Sequence, residues 1–274
     1  MRHILAIGAH PDDVEGSVGG TLVLMRRRGD RVGILSVTDG SKGHFRQEYA
    51  HNPRLLVERR MAEAERAASL IGAEFRCLGA LDGAVYVDHE TTSAMIRAIR
   101  SFGEVGRGPD LILVNRPNDY HRDHRMTAQL VLDAAYLLTV PLVCADVPAL
   151  TRMPVILYWY DDFTEPAPFR ADVVVDIGSV LETKVEMVCQ HESQFAEWIP
   201  YSMGRSPLPL TAAQMRAWVT DWLAQDARRA RAAGERGSPR VAPAGAFEFA
   251  EAFQVSEYGT QPTAEWLREM FGFG

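Results

Sequence analysis

The chain has little that suits an oxidising or membrane setting. Cys77, Cys144 and Cys189 are its only cysteines, too few and too scattered for a disulfide framework or a thiolate metal site. Each lies among apolar neighbours and reads as a small core residue, so a reducing cytoplasm is the expected compartment. No apolar run approaches the ~18 residues a membrane span needs, and the opening "MRHILAIGAH" has no apolar core followed by a cleavage site. Positive charge is in deficit: 29 Lys and Arg against 36 Asp and Glu give a net charge of -7, which argues against nucleic acid or an anionic membrane as partner. The Gly-rich "GSVGG" at 16–20 does not fit the dinucleotide pattern G-x-G-x-x-G, so its small residues are expected to allow close helix packing instead.

Internal repeats and a compositional break are also lacking. A single domain over 1–274 is expected, with a catalytic core of about 1–195 and an irregular elaboration over about 196–274. Hydrophobic residues make up 47% and charged residues 24% of the chain, enough apolar side chain for an ordinary globular core.

What is present is an alternation. "HILAIGA", "RVGILSV", "EFRCLGA" and "DLILVN" are apolar runs of the kind that form parallel strands covered on both faces. Between and after them "GTLVLMRRRG", "RLLVERRMAEAERAASLIG", "TTSAMIRAIRSF" and "RMTAQLVLDAAYLL" carry helical spacing. This order predicts an α/β, doubly wound, mostly parallel open sheet, Rossmann-like, with helices on both faces. "PVILYWY" and "ADVVVDI" read as further strands and "SVLETKVEMVCQHESQF" as a helix. Residues 211–234 read as an exposed helix, and the polar stretch at 41–53 as a long loop.

Open α/β sheets bind ligands at the carboxyl ends of their strands. Four polar segments fall there: His10-Pro11-Asp12-Asp13, Thr38-Asp39-Gly40, Leu81-Asp82-Gly83, and Asn115 to Arg125, "NRPNDYHRDHR". Singly, an Asp-Asp after a strand reads as a helix cap with a first-turn charge, and an H-x-x-H as surface decoration. Together on one edge they point to a metal. His10 and Asp13 with one histidine from His121 or His124 make a two-histidine, one-carboxylate set, which in a catalytic zinc site leaves a coordination position open. A metal lowers the pKa of a bound water toward ~7, and Asp12 stands ready to accept the proton. The other histidine could stabilise an oxyanion or protonate a leaving nitrogen.

With these residues in view, the sequence resembles the LmbE/PIG-L-type metal-dependent N-deacetylases. The resemblance rests on "AHPDD" at 9–13 and "HRDH" at 121–124. It continues through "TDG" at 38–40, Arg60-x-x-Glu63 ending in "LIG", the Lys184 to Gln194 stretch ending in "HESQ", and "EAF" at 251–253. It implies Zn2+ held by His10, Asp13 and His124, with other divalent first-row metals able to substitute, Asp12 as general base, His121 facing the scissile carbonyl and Asp123 orienting His121. Arg60 and Asp82 fall where relatives contact the sugar, and Arg46 and His44 lie in the loop expected to set substrate choice. The implied activity is removal of an N-acyl group, N-acetyl above all, from an amino sugar such as N-acetylglucosamine or its conjugate. A homo-oligomer remains open.

Two other functions fit parts of the pattern. A His/Asp/His triad also serves non-haem iron oxygenases, but the spare Asp12 and the α/β alternation favour hydrolysis, and dependence on dioxygen separates the two. A catalytically silent metal- or sugar-binding protein would require neither Asp12 nor His121. Trp159, flanked by Tyr158 and Tyr160, could stack on a sugar, although an aromatic strand more often serves the core.

Overall fold

The computed structural model describes residues 1–244 and 246–272. In chain order the elements are β1 (His3–Gly8), α1 (Asp13–Arg27), β2 (Arg31–Thr38), α2 (Gln47–His51), α3 (Pro53–Leu70), β3 (Glu74–Ala80), α4 (His89–Arg100), β4 (Leu111–Val114), α5 (Arg122–Leu137), β5 (Val155–Trp159), β6 (Val173–Asp176), α6 (Leu181–Cys189), a π-helical turn (Ser193–Trp198), α7 (Ile199–Ser202), α8 (Ala212–Arg236), β7 (Ala250–Gly259) and α9 (Ala264–Phe271).

The strands form one seven-stranded sheet in the order β3-β2-β1-β4-β5-β7-β6. Pairing is parallel from β3 through β5, and β7 runs antiparallel between β5 and β6. Both faces are covered, as the near-continuous apolar strands require. In β1, Ile4 and Ala6 enter the core beneath α1, while Leu5 and Ile7 enter the core beneath α4 and α5. The expected doubly wound, mostly parallel sheet is therefore present. Among the described residues no helix is long and apolar enough to cross a membrane.

Three segments differ from the sequence reading. The 41–53 stretch contains the short helix α2. The helix expected over "SVLETKVEMVCQHESQF" ends at Cys189 and resumes as the π-helical turn, at whose start Glu63 of α3 accepts hydrogen bonds from the Ser193 amide (2.9 Å) and hydroxyl (2.5 Å). The expected exposed helix at 211–234 is α8, and it is half-buried: Met215, Val219, Leu223, Ala227 and Ala230 form an inward stripe. That spacing of four and three residues is the amphipathic signature.

Helix α1 carries the Asp12–Asp13 turn, and it is locked from behind. Lys184 of α6 and Glu251 of β7 form a buried ion pair at 2.7 Å. Glu251 also accepts from the Gly20 (2.9 Å) and Thr21 (2.7 Å) amides. A Cβ on Gly20 would stand 2.8 Å from Ile177, so the small residues of "GSVGG" serve close packing. This ties the Lys184 and Glu251 motifs to the placement of α1.

Candidate active site

The chain leaves β1 through a turn in which the Asp13 carboxylate accepts from the His10 amide at 2.8 Å. Asp13 opens α1, where the helix dipole favours an anion. The second motif enters from β4. His121 caps α5, its Nδ1 accepting from the Asp123 amide at 3.2 Å, and His124 sits one turn further on.

These two segments meet. His10 Nδ1 lies 3.3 Å from His124 Nε2 and 3.5 Å from Asp13 Oδ2, and His124 Nε2 lies 3.4 Å from Asp13 Oδ1. Tetrahedral bonds of about 2.0–2.2 Å separate neighbouring donors by roughly 3.4 Å; the three spacings are of that size, with Asp13 turning a different oxygen to each histidine. The outer ring nitrogens meet carboxylates: His10 Nε2 is 3.2 Å from Asp82 and 3.5 Å from Asp123, and His124 Nδ1 is 3.0 Å from Asp119. Carboxylates behind metal-binding histidines fix the ring and raise its basicity. Donor atoms of His10, His121 and His124 also fall within 4.8 Å of one another, so His121 could join or replace a ligand.

The electrostatics agree with a cation site. Burial opposes a charged imidazole, yet Asp123, Asp13 and Asp82 raise His10 well above its usual range, and Asp13 with Asp119 pushes His124 up to about 10. Burial works against an ionised Asp13, but His124 and His10 hold it well below the ordinary carboxylate range. His121 behaves oppositely: burial and the neighbouring His10 and His124 lower it, which favours a neutral ring. Its Nδ1 accepts a backbone N–H, so the ring proton belongs on Nε2.

Asp12 is set apart from its neighbour. Its Oδ2 lies 3.2 Å from Arg60 Nη2. Burial pushes the Asp12 carboxyl up, Arg60 pulls it down and Asp13 adds to the rise, for a net value above the ordinary range.

The expected substrate contacts are placed differently. Arg60 is 2% exposed, with Nη1 donating to Gly40 O at 3.1 Å and Nη2 facing Asp12. Gly40 has φ +67°, and a Cβ there would stand 2.7 Å from Arg60 Nη1. Arg60 is thus held inside the site by Gly40 and Asp12, and like Asp82 it lines the cavity. Asp82 faces His10 and accepts from the Lys42 amide at 2.9 Å, and the His10 bond and charge overcome burial to hold it at about 2. Arg46 is directed away, to Glu197 at 2.9 Å, and His44 meets the same carboxylate at 3.1 Å. Asp123 was expected to hold the orientation and charge of His121, and its backbone amide does donate to the His121 ring at 3.2 Å. Its carboxylate instead accepts from the Gly83 (2.6 Å) and Val85 (3.1 Å) amides and faces His10; only its backbone amide reaches His121. His191 is buried, 3.5 Å from Glu15. Trp159 belongs to the core and also lines the cavity, as does Tyr160, whereas the Tyr158 hydroxyl meets Ser256.

A cavity of about 510 Å³ opens over this cluster. His10, Asp12, Asp13, His121 and His124 line it, together with Trp222 and Asp226 of α8. The volume is that of a small-molecule site.

Residues 5–135 match the family described as PIG-L, GlcNAc-PI de-N-acetylase. The match spans just under half of the chain, and over that core the chain is similar to the PIG-L family. It is 28% identical over 214 residues to a diacetylchitobiose deacetylase of Thermococcus kodakarensis, covering 73% of this chain and 75% of that one. An N,N'-diacetylchitobiose deacetylase from Pyrococcus horikoshii superposes with a TM-score of 0.68 at 20% identity, over 92% of this chain and 83% of the other. The 4-carboxy-2-hydroxymuconate hydratase of Pseudomonas putida superposes with a TM-score of 0.72 at 18% identity, over 96% and 99%. The last two likenesses establish the fold alone, and one fold can host unrelated chemistries.

Proposed function

We propose that this chain is a PIG-L-type, zinc-dependent N-deacetylase that removes an acetyl group from the nitrogen of an amino sugar or its conjugate. The observation that carries the reading is the His10, Asp13, His124 triangle with Asp12 beside it and the Nε2 side of His121 left for a substrate. The deacetylase activity named for the Thermococcus relative supports the same substrate class. Five carboxylates, Asp12, Asp13, Asp82, Asp119 and Asp123, surround two imidazoles and one guanidinium, a donor set suited to a hard or borderline divalent ion. Three free cysteines fit a reducing cytoplasm.

A divalent ion on His10, Asp13 and His124 would polarise the acyl oxygen and make water more acidic. The chain's own groups do the rest. Asp12, held by Arg60 and raised by burial, accepts a proton from the attacking water and returns it to the departing nitrogen, so amide and water leave as carboxylate and amine. Neutral His121 donates its Nε2 hydrogen to the acyl oxygen as negative charge gathers there.

Because the fold also carries a hydratase, the test must read the bond that breaks. Metal-loaded protein is incubated with N-acetylglucosamine, N,N'-diacetylchitobiose and other N-acetylated amino sugars, and acetate and free amine are quantified. Equimolar release from at least one is expected. No release from any of them, with metal content near one ion per chain, would sink the proposal.

A further inference from the structure

The first turn of α1 carries a capping pattern that is not closed. In a capping box the N-cap side chain accepts from the amide three residues on, and the side chain there reaches back to the N-cap amide. Asp12-Asp13-Val14-Glu15 has the residues for one, with Asp12 at the N-cap. Helices α4 and α8 close theirs, Asp88 with Thr91 and Thr211 with Gln214. At α1 neither bond is made. The Asp12 side chain accepts no cap bond, its amide donates to His10 O at 2.9 Å, and its Oδ2 faces Arg60 at 3.2 Å.

Glu15 is diverted as well. It is buried, and its Oε1 lies 3.5 Å from Nε2 of His191, just beyond the end of α6. His191 is wholly buried too, and neither its ring nitrogens nor Glu15 Oε1 has a hydrogen-bond partner among the described residues. Buried polar groups without partners are rare in folded proteins, and here two of them face each other. Burial works against a charged imidazole, yet the Glu15, Asp12 and Glu63 carboxylates raise His191 above its usual range, so the two side chains attract as opposite charges. We propose that His191 is a positioning residue: by holding Glu15 it keeps the capping box open and leaves the Asp12 carboxylate turned to Arg60 and the cavity. A closed box would draw that carboxylate onto the Glu15 amide, away from the water it is to deprotonate. This rests on the reading of Asp12 as the general base of a deacetylase.

The test measures kcat, KM and bound metal in metal-loaded wild type, His191→Met and Glu15→Gln, each also in an Asp12→Asn background, with an N-acetylated sugar that wild type cleaves. Glutamine closes a capping box as glutamate does but offers His191 no charge to hold. Capping bonds shift an equilibrium by about 2- to 30-fold, so kcat should fall by a factor in that range in both variants, with KM and metal content unchanged. In the Asp12→Asn background the same changes should cost less than about 2-fold, since no base remains to be positioned. Equal losses in both backgrounds would mean a merely structural role and overturn the proposal. So would wild-type kcat in Glu15→Gln, the variant that carries the test if His191→Met does not fold. If wild type releases no acetate from any N-acetylated sugar, the deacetylase reading falls. The positioning is then judged, as it is wherever turnover is too slow to compare, from a crystal structure of Glu15→Gln. An Asp12 carboxylate bonded to the residue-15 amide upholds it; one still facing Arg60 overturns it.

Discussion

Arg60 Nη2 stands 3.2 Å from Asp12 Oδ2, and both side chains are largely enclosed. A buried guanidinium facing the proposed general base fixes both its position and its charge. Arg60→Met should therefore lower kcat about 10- to 100-fold, with a smaller change in KM. It should also destabilise the fold by about 3–5 kcal/mol, since Asp12 and Asp82 lose a shared cation. Steady-state kinetics with thermal melts check both. A raised KM with kcat preserved would return Arg60 to the role of sugar contact.

Asp12 and Asp13 are adjacent in sequence, and the proposed mechanism gives them different tasks. Asp12→Asn should retain metal while kcat falls about 10²–10⁴-fold, the usual contribution of general-base catalysis. Asp13→Asn should lose metal. Elemental analysis of both variants distinguishes them, and metal loss from Asp12→Asn would make Asp12 a ligand.

Asp119 lies 3.0 Å from His124 Nδ1. Carboxylates in this position typically contribute 10- to 100-fold in metal affinity or activity. Asp119→Ala should weaken metal binding by that factor in a chelator competition assay; unchanged affinity would show that His124 holds its orientation through other bonds.

Glu197 gathers three basic side chains, His44 at 3.1 Å, Arg46 at 2.9 Å and Arg59 at 2.7 Å. Burial raises the Glu197 carboxyl, but the His44 and Arg59 bonds and the arginine charges hold it at about 2, against about 4.3 in an unfolded chain. The folded-state value is the lower one. Its stabilisation is therefore complete above about pH 4.3 and is lost as pH falls through the folded value. Glu197→Gln should cost about 1–3 kcal/mol at pH 7, and its melting temperature should converge on that of wild type as pH falls toward 2. A constant gap across that window would mean that charge plays no part.

The sequence was legible where a pattern is local. The apolar runs of β1 and β4 named a two-faced sheet, and "AHPDD" with "HRDH" named the residues that meet at its edge. Legibility failed where distance in the chain hides proximity in space. Asp119 sat in a quoted motif, but nothing local shows that its carboxylate turns to His124. Arg60 was placed near a sugar by resemblance and Arg46 by its loop; nothing local shows that Asp12 and Glu197, 48 and 151 positions away, pair with them. Lys184 and "EAF" were noted without a purpose, since their pairing spans 67 positions.

The place of β7 has a consequence in time. As a nascent chain leaves the ribosome, β1 to β5 can assemble in order, but β6 emerges with no neighbour, because the strand that joins it to the sheet is made some seventy residues later. Until Glu251 arrives, Lys184 has no counter-charge to be buried with, and the Gly20 and Thr21 amides lack their acceptor. Synthesis from the amino end favours early folding of what is already complete, and here the α1 turn that presents Asp12 and Asp13 is secured only by a late strand. A ribosome stalled before residue 250 would hold the proposed metal ligands in hand and still lack the clamp that sets them.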